Sequence, residues 1–302
     1  MDRREFLKNA AKGAMSVSII GAITKRLQAK AIEENPTAAS DMESELKKAF
    51  CFSMFPESLS VEDRFKLAKD IGLHGVEVKP TLDAKEIGEM RAASEKTGVE
   101  IHSIIYGGWS APLSSPDPVV AERGISEVIG ALKSAKELGA ANILLVPAVV
   151  NEKTRYVEAY ERSQAHLRKL AAEAEKQRVM VLVENVWNNF LLSPIEFARY
   201  VDEIGSPWVQ AYFDVGNVLA FGWPEDWIRT LGNRIKKVHL KDFKRGPRQF
   251  VNLLDGDVNW PEVRKALREV GYRGYLTAEL GGGDAKYLRD VSERMDKIIN
   301  NG

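Results

Sequence analysis

Between residues 49 and 280, short apolar runs alternate with longer stretches whose apolar positions recur at helical spacing. The runs at 49–53, 75–78, 99–105, 142–146, 179–184, 209–214, 235–240 and 275–280 read as eight strands. Several intervening helices carry readable ends. Ser60 with Asp63 reads as an N-cap followed by an acidic third residue, and Gly98 and Gly139 read as C-terminal stops. Ser193-Pro194 is a cap with proline at the first helical position, and Asn259-Trp260-Pro261 opens the next-to-last helix. Eight strand-then-helix units without an internal change of composition predict an α/β fold, a (β/α)8 TIM barrel. The main rival, a doubly wound sheet, usually offers a glycine-rich phosphate loop after its first strand; here that loop reads SMFPES.

The first 31 residues follow a different pattern. DRREFLK puts paired arginines ahead of a modestly apolar stretch at 14–23, and AKA at 29–31 has the form of a cleavage site. This resembles a twin-arginine export signal and predicts an exported, periplasmic bacterial protein. The expected organisation is a signal peptide at 1–31, a linker at 32–47 and a single catalytic barrel domain at 48–302.

Composition narrows the function. The 302 residues hold 43 Lys/Arg and 43 Asp/Glu; losing 1–31 removes seven of the former and two of the latter, leaving 36 against 41, a net of −5. That balance argues against nucleic acid and anionic membranes as partners, and no apolar run is long enough to anchor the mature chain in a bilayer. Cys51 is the only cysteine, which excludes an intrachain disulfide and a thiolate metal cluster, and it reads as a small core residue on a strand.

The candidate chemistry lies at strand ends. AYFDVGN (211–217) is an apolar strand that ends in the carboxylate of Asp214, which is costly unless something pairs with it, and Gly216 suggests a tight turn beside a ligand. The fifth strand ends in Glu184, the seventh carries His239 and the eighth carries Glu279. In a barrel these ends converge on one mouth. Three carboxylates there would repel unless a divalent cation compensates them, and a donor set of oxygen and nitrogen suits Mn, Mg, Co or Zn. One by one, such residues more often cap helices or pair with arginine. Four on consecutive strands point to one metal ion.

VENVWNNF, YFDVGN, VHLKD and LTAEL resemble the xylose-isomerase-like TIM-barrel superfamily, and the branch of L-ribulose-5-phosphate 3-epimerases and hexulose-phosphate isomerases in particular. PLSSPDP, GANILLVPAVVN and LLDGDVNWPEV extend the resemblance over 49 to about 300. It implies that Glu184, Asp214, His239 and Glu279 bind a divalent ion and that Glu184 and Glu279 also transfer protons. The chemistry agrees: interconverting a hydroxy-ketone requires removal of a proton α to a carbonyl, stabilisation of an enediolate, and a base on each face.

Further candidates for substrate contact are Lys241, Asn185, Trp187, Asn188 and Trp109, with Trp223 as another wall residue; Lys241 could instead pair with Asp242 or Glu279. Glu77 ends the second strand and is expected to contact the site or orient a ligand. His74 begins that strand and belongs to the opposite face, while His102 is mid-strand and His166 lies on a helix among charges. Some superfamily epimerases carry a histidine three residues after the sixth-strand aspartate, where it contacts substrate. Here Asn217 stands in that place, as in the phosphate-sugar branch. Phosphorylated sugars are cytoplasmic, whereas this chain carries an export-like leader. The expected substrate is therefore an unphosphorylated keto-sugar, a sugar acid or an oxidised glycoside. The same site could also drive lyase or hydratase chemistry on a 3-keto-glycoside. A DNA-repair endonuclease of this barrel type needs a histidine-rich three-metal cluster, and the chain has four histidines in all. The expected partner is a small sugar, with a homo-oligomer left open.

Overall fold

A computed structural model describes residues 46–300. The export leader and nearly all of the linker lie outside the described residues. Leu46 and Lys47, assigned above to the linker, are the first residues of strand β1 (Leu46–Cys51). The other barrel strands are β2 (Gly75–Val78), β3 (Glu100–Gly107), β4 (Asn142–Leu145), β5 (Met180–Glu184), β6 (Val209–Asp214), β7 (Ile235–Leu240) and β10 (Gly274–Ala278). They close in the order β1-β10-β7-β6-β5-β4-β3-β2, every pairing parallel, which confirms the expected TIM barrel. Sequential strands are neighbours throughout because each connection returns over the outside through a helix.

Those helices are α1 (Val61–Asp70), α2 (Ala84–Thr97), α3 (Pro118–Leu138), α4 (Tyr156–Gln177), α5 (Pro194–Ile204), α6 (Val215–Leu219), α7 (Pro224–Leu231), α8 (Trp260–Glu269) and α9 (Ala285–Asn300). Their ends follow the local chemistry. Ser60 Oγ accepts the Asp63 N–H at 3.1 Å, and Ser193 and Asn259 accept from Glu196 and Glu262 in the same way. Gly98 and Gly139 close α2 and α3 in the left-handed region, at φ 74° and 77°.

Two apolar regions follow from the two-residue repeat of the strands. In β6, Val209, Ala211 and Phe213 join the large shell between barrel and helices, whereas Tyr212 joins Leu144 and Leu182 in a separate, small cluster. Burying a side chain such as Phe213 contributes about 1.5–3 kcal/mol. The alternation leaves Asp214, Glu184 and His239 on the inner register, and that register positions the site.

One element breaks the simple repeat. Directly after β7 the chain forms an antiparallel hairpin, β8 (Asp242–Lys244) with β9 (Gln249–Val251), before α8. The buried Asp242 carboxylate holds this excursion together. It accepts the N–H groups of Phe243 (2.8 Å), Leu254 (2.9 Å) and Val258 (3.2 Å) and the indole N–H of Trp260 (2.9 Å). The backbone comes so close that a Cβ on Gly256 would lie 2.0 Å from Asp242 Oδ1, so only glycine fits there.

Candidate active site

Glu184 and Asp214 are the last residues of β5 and β6, His239 is the penultimate residue of β7, and Glu279 follows the last residue of β10. All four reach the C-terminal mouth of the barrel. Glu184 Oε1 and Glu279 Oε2 lie 3.0 and 2.9 Å from His239 Nδ1, and Asp214 Oδ2 is 3.8 Å from the same nitrogen. One ligand atom from each of the four falls within 4.8 Å of all the others.

The electrostatics are those of a site short of positive charge. Four carboxylates, counting Glu77, face two cationic groups, His239 and Lys241. Lys241 Nζ sits 2.7 Å from Glu279 Oε2 and 3.1 Å from Asp214 Oδ2. Neither of these buried oxygens accepts a hydrogen bond of good geometry, although both face the ammonium. Burial pushes Glu184 up to about 7 despite its contact with His239, and burial also raises Asp214 against the pull of Lys241. Burial opposes ionisation of Glu279 too, but His239 and Lys241 outweigh it and hold that carboxyl well below its usual range. The Lys241 ammonium is raised in the same way, with Asp214, Glu279 and Glu184 overcoming its burial. Three carboxylates and an imidazole, with two of the carboxylate oxygens buried and met only by ion pairs, fit a divalent ion held by Glu184, Asp214, His239 and Glu279.

His239 is held from behind. Its Nε2 lies 2.7 Å from Glu77 Oε2, with both side chains fully buried, and the other Glu77 oxygen accepts the Ser103 hydroxyl at 2.5 Å. Asn142 Nδ2 donates to Ser103 Oγ at 2.7 Å and completes the chain. A carboxylate on Nε2 keeps that nitrogen an N–H donor, so a metal that displaced the Nδ1 proton would meet the Nδ1 lone pair. Cys51 sits beside this contact, its Sγ 3.5 Å from Glu77 Oε2 and 4.0 Å from His239 Nε2. It is therefore an inward-facing residue next to His239, and burial pushes its thiol well above the usual range, so it stays protonated.

Several side chains expected to touch substrate also have work within the fold. Glu77 is buried under His239 and positions it. Asn185 spends both ends of its amide on the Asp214 backbone, donating to its C=O (2.8 Å) and accepting from its N–H (2.9 Å). Asn217 gives its backbone N–H to Asp214 Oδ1 (2.7 Å) and its amide to the Asn185 carbonyl (3.1 Å). Asn188 is tied to the Ala148 carbonyl (2.8 Å) and to the Phe190 N–H (3.2 Å). Asn185 and Asn188 thus spend one donor and one acceptor position each within the fold, and Asn217 one amide N–H, which leaves each of them further hydrogen-bonding capacity. Gly216 marks a close approach rather than a turn beside ligand, since a Cβ there would lie 2.5 Å from Lys241 Cβ.

Trp187 is half exposed at the mouth and donates its indole N–H to the Asn217 carbonyl (2.9 Å). Trp109 and Trp223 are more than half exposed, and the Arg245 guanidinium lies 4.8 Å from a Trp223 ring. Lys241 pairs with Glu279 and Asp214, while Asp242 organises the hairpin. His74 lies at the far end of β2 and accepts the Lys48 N–H (3.2 Å). His102 is at that end too, and the half-buried His166 contacts the Leu113 carbonyl (2.9 Å).

Known proteins agree with this architecture. An L-ribulose-5-phosphate 3-epimerase of Escherichia coli (strain K12 / DH10B) is 28% identical over 258 residues, 78% of this chain and 90% of the relative. One from Shigella boydii serotype 18 is 27% identical over 264 residues, with the same coverage. These relatives are isomerases. Among solved structures, 3-keto-D-glucoside 4-epimerase of E. coli superposes with TM-score 0.71 at 16% identity, over 84% of this chain and 98% of that one. D-Allulose 3-epimerase of Methylomonas sp. gives 0.71 at 18% identity, over 84% and 96%. The sequence profile of the xylose isomerase-like TIM barrels matches residues 65–298, and the chain belongs to that family.

Proposed function

We propose that the chain is a divalent-metal-dependent sugar epimerase or aldose–ketose isomerase, working on an unphosphorylated keto-sugar or sugar derivative by proton abstraction through an enediolate. The observation that carries this reading is the pair Glu184 and Glu279, which approach His239 Nδ1 from β5 on one side and β10 on the other. Two carboxylates converging on one centre can remove a proton at one face of a sugar carbon and return it at the other. With no metal bound, burial pushes Glu184 up to about 7 while His239 and Lys241 hold Glu279 ionised; a divalent cation on both carboxylates would favour the ionised form of each, the form a base needs. Lys241, anchored between Asp214 and Glu279, is placed to donate to a substrate oxygen. A divalent ion bound by the four ligands, of the Mn, Mg, Co or Zn type, would supply Lewis-acid charge to the carbonyl. The leader-like N-terminus supports export to the periplasm and hence an unphosphorylated substrate.

The test is turnover of keto-sugars by the metal-loaded protein in D2O. Deuterium at one sugar carbon, in a product of unchanged mass apart from the label, is the expected result. No incorporation across a panel of keto-sugars sinks the reading. Release of an aglycone from a 3-keto-glycoside would redirect it to elimination at the same site.

A further inference from the structure

Beside the ligand cluster, between the β8–β9 hairpin and the start of α9, lies a cavity of about 470 Å³ lined by Lys241, Phe250, Asn252, Glu279, Gly281 and Tyr287. That volume falls within the range of ligand pockets. It shares Glu279 and Lys241 with the site and extends away from it. One wall is Phe250, which stays 40% exposed. The ring is braced from behind by Trp187, stacked at 5.0 Å and 26°, and by Phe243 at 5.3 Å and 64°. Phe243 also meets Trp187 edge-on at 5.6 Å and 85°. Trp187 is pinned by its indole N–H to the Asn217 carbonyl beside Asp214, so this aromatic wall is rigidly tied to the ligand cluster. A fixed aromatic face in one cavity with the Glu279 carboxylate and the Lys241 ammonium suits a pyranose, which presents C–H bonds on its faces and hydroxyls at its edge.

The charges around the cavity say what kind of ring. TIM barrels commonly bind a substrate phosphate on free N–H groups of the loops after the seventh and eighth barrel strands and at a helix N-terminus there. In this chain carboxylates of its own take several of those donors. Asp242, after β7, takes the N–H groups of Phe243, Leu254 and Val258. Asp284, ahead of α9, takes the Tyr287 N–H at 2.9 Å. Lys241 is the one cation among the described lining residues, and Asp214 and Glu279 already hold it. A phosphate entering here would lose water and meet fixed negative charge.

We propose that this cavity is a subsite for an uncharged second ring, a sugar or aglycone joined to the reacting keto-sugar and stacked on Phe250. The subsite rests on the reading of the neighbouring centre as a keto-sugar site. It is tested with three probes that share one ketose: D-fructose, D-fructose 6-phosphate and lactulose, in which the fructose carries a galactosyl ring. Dissociation constants come from saturation-transfer NMR titrations of the Mg²⁺-loaded protein. Lactulose is expected to bind on the order of tenfold tighter than fructose, and the phosphate ester no tighter than fructose. Phe250→Ala should bring the lactulose-to-fructose affinity ratio to about one, and Phe250→Trp should restore the preference. Equal binding of lactulose and fructose, tighter binding of the phosphate ester, or a preference that survives Phe250→Ala overturns the subsite. Deuterium exchange on the same samples keeps the two ideas apart. Exchange without a lactulose preference sinks the subsite alone, and a lactulose preference without exchange in any probe sinks the catalytic reading alone.

Discussion

The two ends of the barrel both hold buried ionisable groups and both open onto a cavity, yet they differ in how the charges are met. At the N-terminal end a cavity of about 590 Å³ is lined by Glu100, His102, Lys237 and Tyr275, among others. There His102, Lys237 and Tyr275 have each found a complement. His102 stacks on Tyr275 at 4.0 Å, accepts from Lys237 Nζ on Nδ1 (3.2 Å) and meets Thr277 Oγ1 through Nε2 (3.2 Å). Tyr275 donates its hydroxyl to Glu100, which also pairs with Lys47 at 3.2 Å. At the C-terminal end carboxylates outnumber cations and two buried oxygens accept no hydrogen bond. The larger cavity is thus the settled one, and the smaller adjoins the imbalance. Unmet charge, rather than volume, separates a candidate site from polar packing.

The sharpest way to break this comparison is to remove one proton-carrying group and watch both ends. Glu184→Gln should lower deuterium exchange into substrate by roughly 10²–10⁴-fold, the usual range for a lost general acid or base. Lys237→Met, in the satisfied end, should leave the rate within about twofold. Comparable losses in the two variants would mean that the imbalance does not mark the catalytic end. The next effect concerns the support of His239. Glu77→Gln should weaken metal binding by about 10–100-fold, read by competition with a chromophoric chelator, because the amide no longer fixes Nε2 as the donor and Nδ1 as the free lone pair. Unchanged affinity would show that Glu77 only fills space, and the ligand cluster would then stand without its buried relay through Ser103 and Asn142.

Much of this contrast was legible in the sequence, because two of its causes are local. Strand and helix periods alternate regularly enough to name the barrel, and the residues that end β5 and β6, that lie one short of the end of β7 and that follow β10 are those the structure brings together. What was not legible depends on where backbone groups go. Asn185, Asn188 and Asn217 are the right residue types beside the site, but only the three-dimensional course of the loops shows that their amides also hold the backbone of Asp214, Ala148 and Asn185. The hairpin was missed for a related reason. KRGPRQ reads as a generic turn, while the force that builds β8–β9 is one aspartate, Asp242, collecting N–H groups up to 18 residues away in sequence. Phe250, which matters most for the proposed subsite, gives no signal in a short, charged segment.

The smallest effect tests whether the N-terminal end is as settled as it looks. Burial and the charge of Lys237 hold the His102 pKa well below its ordinary 6.5, so the imidazole is neutral in the folded chain and accepts from that ammonium. Below pH 6.5 the unfolded chain binds a proton there that the folded chain refuses. The His102 contribution is therefore fully present above 6.5 and shrinks as pH falls, by at most about 1.4 kcal/mol per pH unit. His102→Gln keeps a hydrogen-bonding side chain and removes this titration. In urea melts of the metal-free proteins, the stability gap between wild type and variant should narrow by about 1 kcal/mol between pH 6.5 and 5.5. Reading the gap rather than the wild-type curve cancels the acid titration of Glu184 and the other carboxylates at the mouth, which both proteins share. Parallel curves would mean that His102 already takes a proton in the folded state, with Lys237 turned away from it. The N-terminal end would then carry unmet charge of its own, and the difference between the two ends would be one of degree.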